Sequence, residues 1–275
     1  MKTGWDRLLT ILPPGMGREV DTLGKHDLRE LRLRLGLPPE LVLSRGSLWG
    51  TGTVKKEDLN YCVNAASRYS PWAAATAARG YLTAPGGHRI GLCGQAVEKQ
   101  GRVAGMGELT SLCIRVAQDH TGIAGKGARL PGSTLILGPP GWGKTTLLRD
   151  LCREMSGSSQ VCVVDEREEL FPEGFARGRH MDVLSGCPKA AGVEMALRTL
   201  SPEVIGVDEI TASEDAMALA QAAYCGVRLV ATAHAGSRRD LERRPVYRKL
   251  LEEKLFDNLL ILRRDQSYDV ERMGV

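Results

Sequence analysis

The stretch STLILGPPGWGKTTLLRD, residues 133–150, constrains this chain more than any other part of it. An apolar run with the look of a buried strand meets Gly138-x-x-x-x-Gly143-Lys144-Thr145, and helical spacing follows at once. That order is the P-loop pattern in the context it requires. The glycines let backbone N–H groups curl around phosphate oxygens, and a helix starting near Gly143 aims its positive end at the same anion. Gly138, Pro139, Pro140, Gly141, Trp142, Gly143, Lys144, Thr145 and Thr146 therefore form the candidate nucleotide site. Lys144 is expected to reach the β- and γ-phosphates of ATP, Thr145 to offer its hydroxyl to Mg²⁺, and Thr146 to bond near the α-phosphate. Trp142 is bulkier than phosphate binding requires, and its indole is expected to point to solvent or a neighbouring chain.

Around this motif the second half of the chain alternates short apolar runs (QVCVVD, EVIGVD, VRLVATA) with helical stretches (GVEMALRTL, SEDAMALAQAAY). Such alternation marks βαβ units on a mainly parallel sheet. In a sheet of that kind the strand C-termini line one crevice, so the residues that follow each strand matter. EVIGVDEIT ends its apolar run on Asp208 and Glu209. This is the Walker B form: Asp208 is suited to holding Mg²⁺, and Glu209 to polarising an attacking water. VVDEREEL places Asp165 and Glu166 after another strand, and VATAHAGS places His234 after a third. Glu209 favours hydrolysis, because a small-molecule kinase needs an acceptor site and a closing lid, and neither is legible.

Residues 1–118 have a different texture. DLRELRLRLGLPPE fits either a short helix or a half-buried strand, because its period decides nothing. KKEDLNYCVNAASRYSPWAAATAARGYL reads as helical with a break at Pro71, and GYLTAPGGHRIGLCGQAVEKQGRVAGM as antiparallel hairpins, followed by a short strand in SLCIRVA. The expected architecture is a small α+β N-terminal domain (1–118), a Gly-rich linker (119–132), and a RecA-like α/β P-loop domain (133–275).

These residues resemble the type II/IV secretion ATPases, the RecA-like motors of pili and secretion systems. Longer strings, among them PGGHRIGLCGQAV, TLILGPPGWGKTTLLRDL, DVLSGCPKAAGVEMALRTLSPEVIGVDEI and GVRLVATAHAGS, resemble the stage III sporulation protein AA family over about residues 25–265. The resemblance implies an ATPase of endospore-forming bacteria, serving the channel between mother cell and forespore. It further implies a hexameric ring held on the cytoplasmic face by a membrane-embedded channel or secretion-complex protein. In the secretion ATPases arginines of the N-terminal domain approach the neighbouring subunit's phosphates; Arg89 and Arg115 match those positions best, with Arg79 third. An arginine suits such a task because its charge is permanent and its fork bonds two phosphate oxygens. A surface arginine on a strand edge explains each equally well. Glu166, Glu209 and His234 complete the expected catalytic set, His234 as a γ-phosphate sensor. The departures are the missing tetra-cysteine zinc insertion, the short N-terminal domain, and Trp142 in place of a small residue.

Composition bounds the partners. Seven scattered cysteines without a C-x-x-C pair fit a reducing cytosol rather than a disulfide scaffold. No apolar run approaches the roughly 18 residues that span a bilayer, so any membrane association is expected to be peripheral. The net charge of +4 permits an acidic partner without implying one. SRRDLERRPVYRKL invites an alternative reading as a RecA-like nucleic-acid-binding ATPase. Its acids interleave with its cations as on a solvated helix face, and only Tyr247 is present for stacking, which argues against nucleic acid. A regulatory nucleotide-binding module without turnover is the third reading.

Overall fold

Strand β1 (Leu28–Arg34) resolves the ambiguous Leu/Arg stretch. Leu31 and Leu33 are fully buried while Arg32 and Arg34 alternate with them on the other face, a period of two that only a strand supplies. The computed structural model describes residues 3–25, 27–67, 80–99 and 102–273. Two compact units emerge: Met1–Asp119 with Pro172–Phe175, and His120–Phe171 with Ala176–Val275. The span 120–132, expected as linker, lies in the second unit. Ala124 there is fully buried and its N–H donates to Asp150 Oδ2 at 2.7 Å; a Gly-rich composition conceals one small residue used as core.

The first unit begins with α1 (Gly4–Thr10), closed by a capping box between Thr3 and Asp6, and α2 (Pro14–Gly24), entered through a proline at its first turn. Helix α3 spans Lys56–Ser67; the rest of the stretch read as helical, with Pro71 and Arg79, falls outside the described residues. The remaining strands are β2 (Glu40–Leu43), β3 (Gly46–Trp49), β4 (Tyr81–Ala84), β5 (His88–Lys99) and β6 (Arg102–Arg115), in the order β3-β2-β1-β6-β5-β4 and antiparallel throughout. SLCIRVA is thus not a separate short strand. Its residues Ser111–Arg115 end the long strand β6, because three register shifts against β5 absorb the glycines that look like turns.

His88 anchors this unit. It is fully buried; Nδ1 accepts the N–H of Ala117 at 3.1 Å, and Nε2 lies 2.7 Å from the Gly4 carbonyl. A ring nitrogen that accepts cannot carry the proton, so Nε2 donates and the ring is neutral. Burial pushes its pKa down to about 4.

In the second unit the order is β13-β12-β7-β11-β10-β8-β9. Its strands are β7 (Thr134–Leu137), β8 (Val161–Asp165), β9 (Met181–Ser185), β10 (Val204–Val207), β11 (Arg228–Ala233), β12 (Asn258–Leu262) and β13 (Tyr268–Arg272). Only the β12–β13 pair is antiparallel. The strand leading into the P-loop is β7, buried at all four positions. Leu135 and Leu137 enter one apolar cluster and Ile136 the other. The first cluster includes Val193 of α5 (Lys189–Thr199) and Leu219 of α6 (Ser213–Tyr224); the second includes Leu147 and Leu151 of α4 (Lys144–Met155). Helices cover both faces, which is why these strands read as unbroken apolar runs.

Two shorter helices, α7 (Arg238–Glu242) and α8 (Pro245–Glu252), carry the basic run. Tyr247 is 5% exposed and its hydroxyl donates to the Ile210 carbonyl at 2.8 Å, so the aromatic of that run belongs to the core.

Because the unfolded chain protonates His88 near the ordinary histidine value and the folded chain only near pH 4, the folded state loses stability as pH falls through that interval. The loss approaches ~1.4 kcal/mol per pH unit. Thermal unfolding of wild type and His88→Gln between pH 7.5 and 4.5 measures it: the wild-type midpoint falls more steeply than the variant's, and parallel curves would contradict the assignment.

Candidate functional site

The C-terminal ends of β7, β8, β10 and β11 bring the P-loop, the acidic box, the Walker B pair and the histidine to one edge of the sheet. Between β7 and α4 the loop turns through Gly141 at φ 78° and Gly143 at φ 97°, backbone that side chains other than glycine rarely adopt. Lys144 opens the helix and is 7% exposed, and its Nζ donates to the Pro139 carbonyl at 3.0 Å across the loop. Burial lowers its pKa, opposed by the carboxylates of Asp208 and Glu209. Thr146 follows in the first turn of the same helix. Trp142 does not point to solvent: it is half-buried against the apolar cluster around α4, where its ring area is removed from water.

Asp208 joins three elements. Thr145 Oγ1 of α4 donates to its Oδ2 at 2.8 Å, and Thr232 Oγ1 of β11 donates to its Oδ1 at 2.6 Å. Thr232 Oγ1 in turn accepts the Glu209 N–H at 2.8 Å. Glu209 takes a left-handed φ of 52°, which turns its side chain out of the strand direction. Its carboxylate is held at both oxygens, by His234 Nε2 on Oε1 at 3.1 Å and by an Arg167 guanidinium nitrogen on Oε2 at 2.9 Å.

The acidic box divides its labour. Asp165 is 2% exposed and accepts three backbone N–H groups, from Glu169 at 2.9 Å, Leu170 at 2.9 Å and Phe171 at 3.0 Å. It builds the loop; burial raises its pKa, and those three bonds oppose the rise. Arg149, buried on α4, donates to the carbonyls of Leu170 and Glu169 and fastens this loop to the P-loop helix. Glu166 is the exposed member and is bonded by Lys189, the first residue of α5. Helix α5 can come this close because Gly192 faces β8: a Cβ there would lie 2.4 Å from Val164 Cγ1.

The cleft thus gathers Glu166, Glu209, Asp208 and His234 with the P-loop. Arg89 and Arg115 lie in the first unit, directly opposite one another on β5 and β6. The Arg89 guanidinium sits over the Tyr81 ring at 4.6 Å from its centroid, and Arg115 is exposed. Sequence reasoning passed over Thr232, Arg167, Arg149 and Lys189. Thr232 left a trace, a hydroxyl inside an apolar strand two residues before His234; the others needed the fold.

Among the described residues no group of three His, Cys, Asp or Glu side chains is arranged to hold a metal by itself. Mg²⁺ asks for less: it keeps several waters and takes one or two protein oxygens beside substrate phosphates. The adjacent Thr145 hydroxyl and Asp208 carboxylate fit that requirement.

The family model that matches this chain is that of sporulation stage III, protein AA, over residues 9–271. Stage III sporulation protein AA of Bacillus subtilis (strain 168) is 36% identical over 283 residues, covering 94% of this chain and 91% of its own. Among solved structures, the ATPase DotB of Legionella pneumophila aligns with a TM-score of 0.62 and 18% identity over 95% of this chain and 80% of its own. The pilus retraction motor PilT with bound ADP aligns with a TM-score of 0.68 and 14% identity over 94% and 82%. At those identities the two structures speak to the fold, which is the RecA-like P-loop fold.

The doubly bonded Thr232 gives a direct test. Thr232→Val keeps the shape but strands Asp208 Oδ1 and the Glu209 N–H, and is expected to cost roughly 1–3 kcal/mol in denaturant unfolding. Thr232→Ser restores most of that; a Thr232→Val protein as stable as wild type would contradict the bonding described.

Proposed function

The chain belongs to the sporulation stage III protein AA family, and on that premise we propose that it is an ATP-hydrolysing motor. It energises a mother cell–forespore channel complex during endospore formation, as a hexameric ring at the cytoplasmic face of a membrane partner. The observation that carries this reading is the Thr145–Asp208–Thr232 chain of hydroxyl–carboxylate bonds beneath a P-loop, with Glu209 next in sequence. Such an arrangement suits phosphoanhydride hydrolysis better than storage of a nucleotide. Among the described residues no helix is long and apolar enough to cross a membrane, which is compatible with attachment through a partner.

Each residue has a task. Lys144 exchanges its bond to the Pro139 carbonyl for the β- and γ-phosphate oxygens of ATP, so the incoming anion offsets the cost of keeping an ammonium half out of water. Thr145 and Asp208 would hold Mg²⁺, which when bound would neutralise charge on the phosphates. Glu209 takes a proton from the attacking water as oxygen bonds to the γ-phosphorus and the bond to the β-phosphate oxygen breaks, releasing ADP with the electron pair. His234, on the same carboxylate, links the state of Glu209 to the presence of the γ-phosphate. Arg89 and Arg115 supply positive charge to the phosphates of a neighbouring subunit. The nucleic-acid alternative loses its one stacking aromatic, because Tyr247 is core.

Three variants test the assignment. Lys144→Ala is expected to weaken nucleotide binding about 10- to 100-fold, the worth of a hydrogen bond to a charged group, measured with a fluorescent ADP analogue. Glu209→Gln keeps ATP bound and slows turnover about 10²- to 10⁴-fold; unchanged turnover would remove Glu209 from the mechanism. Arg89→Ala lowers kcat in assembled protein and leaves monomer affinity for nucleotide alone. A loss of monomer affinity would contradict a role between subunits.

A further inference from the structure

Lys189 stands where the fold by itself has no use for a lysine. It is the first residue of α5 and 6% exposed. The amino end of a helix concentrates positive partial charge from its free N–H groups, so an ammonium there is unfavourable. Burial adds the cost of removing it from water. An alanine or an aspartate would serve the helix better.

What offsets these costs lies around its Nζ. Glu166 Oε2 bonds it directly, and Asp215 Oδ2 is 3.9 Å away. Asp215 sits in the first turn of α6 and accepts the N–H groups of Thr211 and Ala212, each at 3.2 Å. Those two residues belong to the loop that leaves Glu209. The ammonium therefore joins the loop after β8 to the loop after β10, the two loops that carry the acids of the cleft. The partners are unequal: the lysine side chain is 7% exposed and the Glu166 side chain 38%. A fixed, buried cation is holding a carboxylate that solvent would otherwise leave free to rotate.

We propose that Lys189 is a positioning residue of the site: its buried ammonium fixes the Glu166 carboxylate over the cleft and ties it to the first turn of α6. The inference rests on the hydrolytic reading above. It assigns to Glu166 a held geometry, as His234 and Arg167 do for Glu209, so each of the two glutamates of the cleft has a basic side chain on it. Removal of the ammonium frees Glu166 without touching the P-loop, and turnover suffers while nucleotide affinity does not.

The test is a double-mutant cycle on the full chain at a concentration where wild type turns over ATP with Mg²⁺, with ADP-analogue affinity and unfolding midpoint measured for each variant. Lys189→Met is expected to lower kcat about tenfold or more and to leave affinity within about twofold. Lys189→Arg recovers most of the loss. In the Glu166→Gln background Lys189→Met is expected to cost less than about twofold more, because the lysine acts only through the carboxylate already removed. That double variant also serves if Lys189→Met does not fold, since it removes both charges together. Full additivity, or a Glu166→Gln/Lys189→Met protein far slower than Glu166→Gln at equal stability, would overturn the proposal. If Glu166→Gln is slow and Lys189→Met is not, the lysine inference alone falls; if Glu166→Gln turns over as wild type does, the place of Glu166 in the expected catalytic set falls with it.

Discussion

Asp208 is the point on which the second unit is organised. Each of its oxygens accepts a hydroxyl, one from the P-loop helix through Thr145 and one from the adjacent strand through Thr232. Hydrogen bonds to a carboxylate are shorter and about twice as strong as neutral ones, and in a water-poor site they fix direction as well as distance. The α4 helix, β10 and β11 therefore cannot shift past one another without breaking a charged bond. Thr232 extends the constraint to Glu209 through its backbone. The left-handed turn at Glu209 then presents that carboxylate to His234 and Arg167.

A second layer holds the acidic box. Asp165 is spent on three backbone N–H groups and Arg149 on two carbonyls of the same loop. The loop that carries Glu166 is thereby tied to the helix that carries Lys144. Lys189 adds a contact from Glu166 to Asp215, which holds the loop beyond Glu209. Rigid elements carry the acids while exposed cations such as Arg167, whose side chain is 58% exposed, remain able to exchange partners. Ion pairs that open to solvent cost little to break.

Much of this was legible in the residue order, and the reasons differ from element to element. The P-loop strand, β8, β10 and β11 were visible because strands buried on both faces are continuous apolar runs, and the residue that ends such a run reports what faces the crevice. Asp208, Glu209, Glu166 and His234 are singled out that way, and the parallel strands place them at one edge of the sheet. Strands β9 and β13 escaped because, at the two edges of the sheet, neither has a buried position and neither alternates regularly, and β12 because nothing in its surroundings marked a crevice. Thr232 and Lys189 act across the sheet, between residues far apart in the chain, and no spacing rule encodes such pairs. His88 lay in plain sight among hairpin glycines, but its burial depends on the Gly4 carbonyl and the Ala117 N–H, which only tertiary structure brings together. The half-buried position of Trp142 was not legible because phosphate binding gives it no task, whereas the apolar cluster beside α4 does.

The central claim is that the cleft hydrolyses ATP as part of an assembly in which neighbouring subunits supply charge. Turnover per chain, measured with Mg²⁺ across a range of protein concentrations beside mass by light scattering, tests it most directly. The account predicts turnover per chain that climbs in step with the assembled fraction and stays low in the monomer. Turnover per chain that is constant from monomer to oligomer, or absent when the chain is fully assembled, would contradict it.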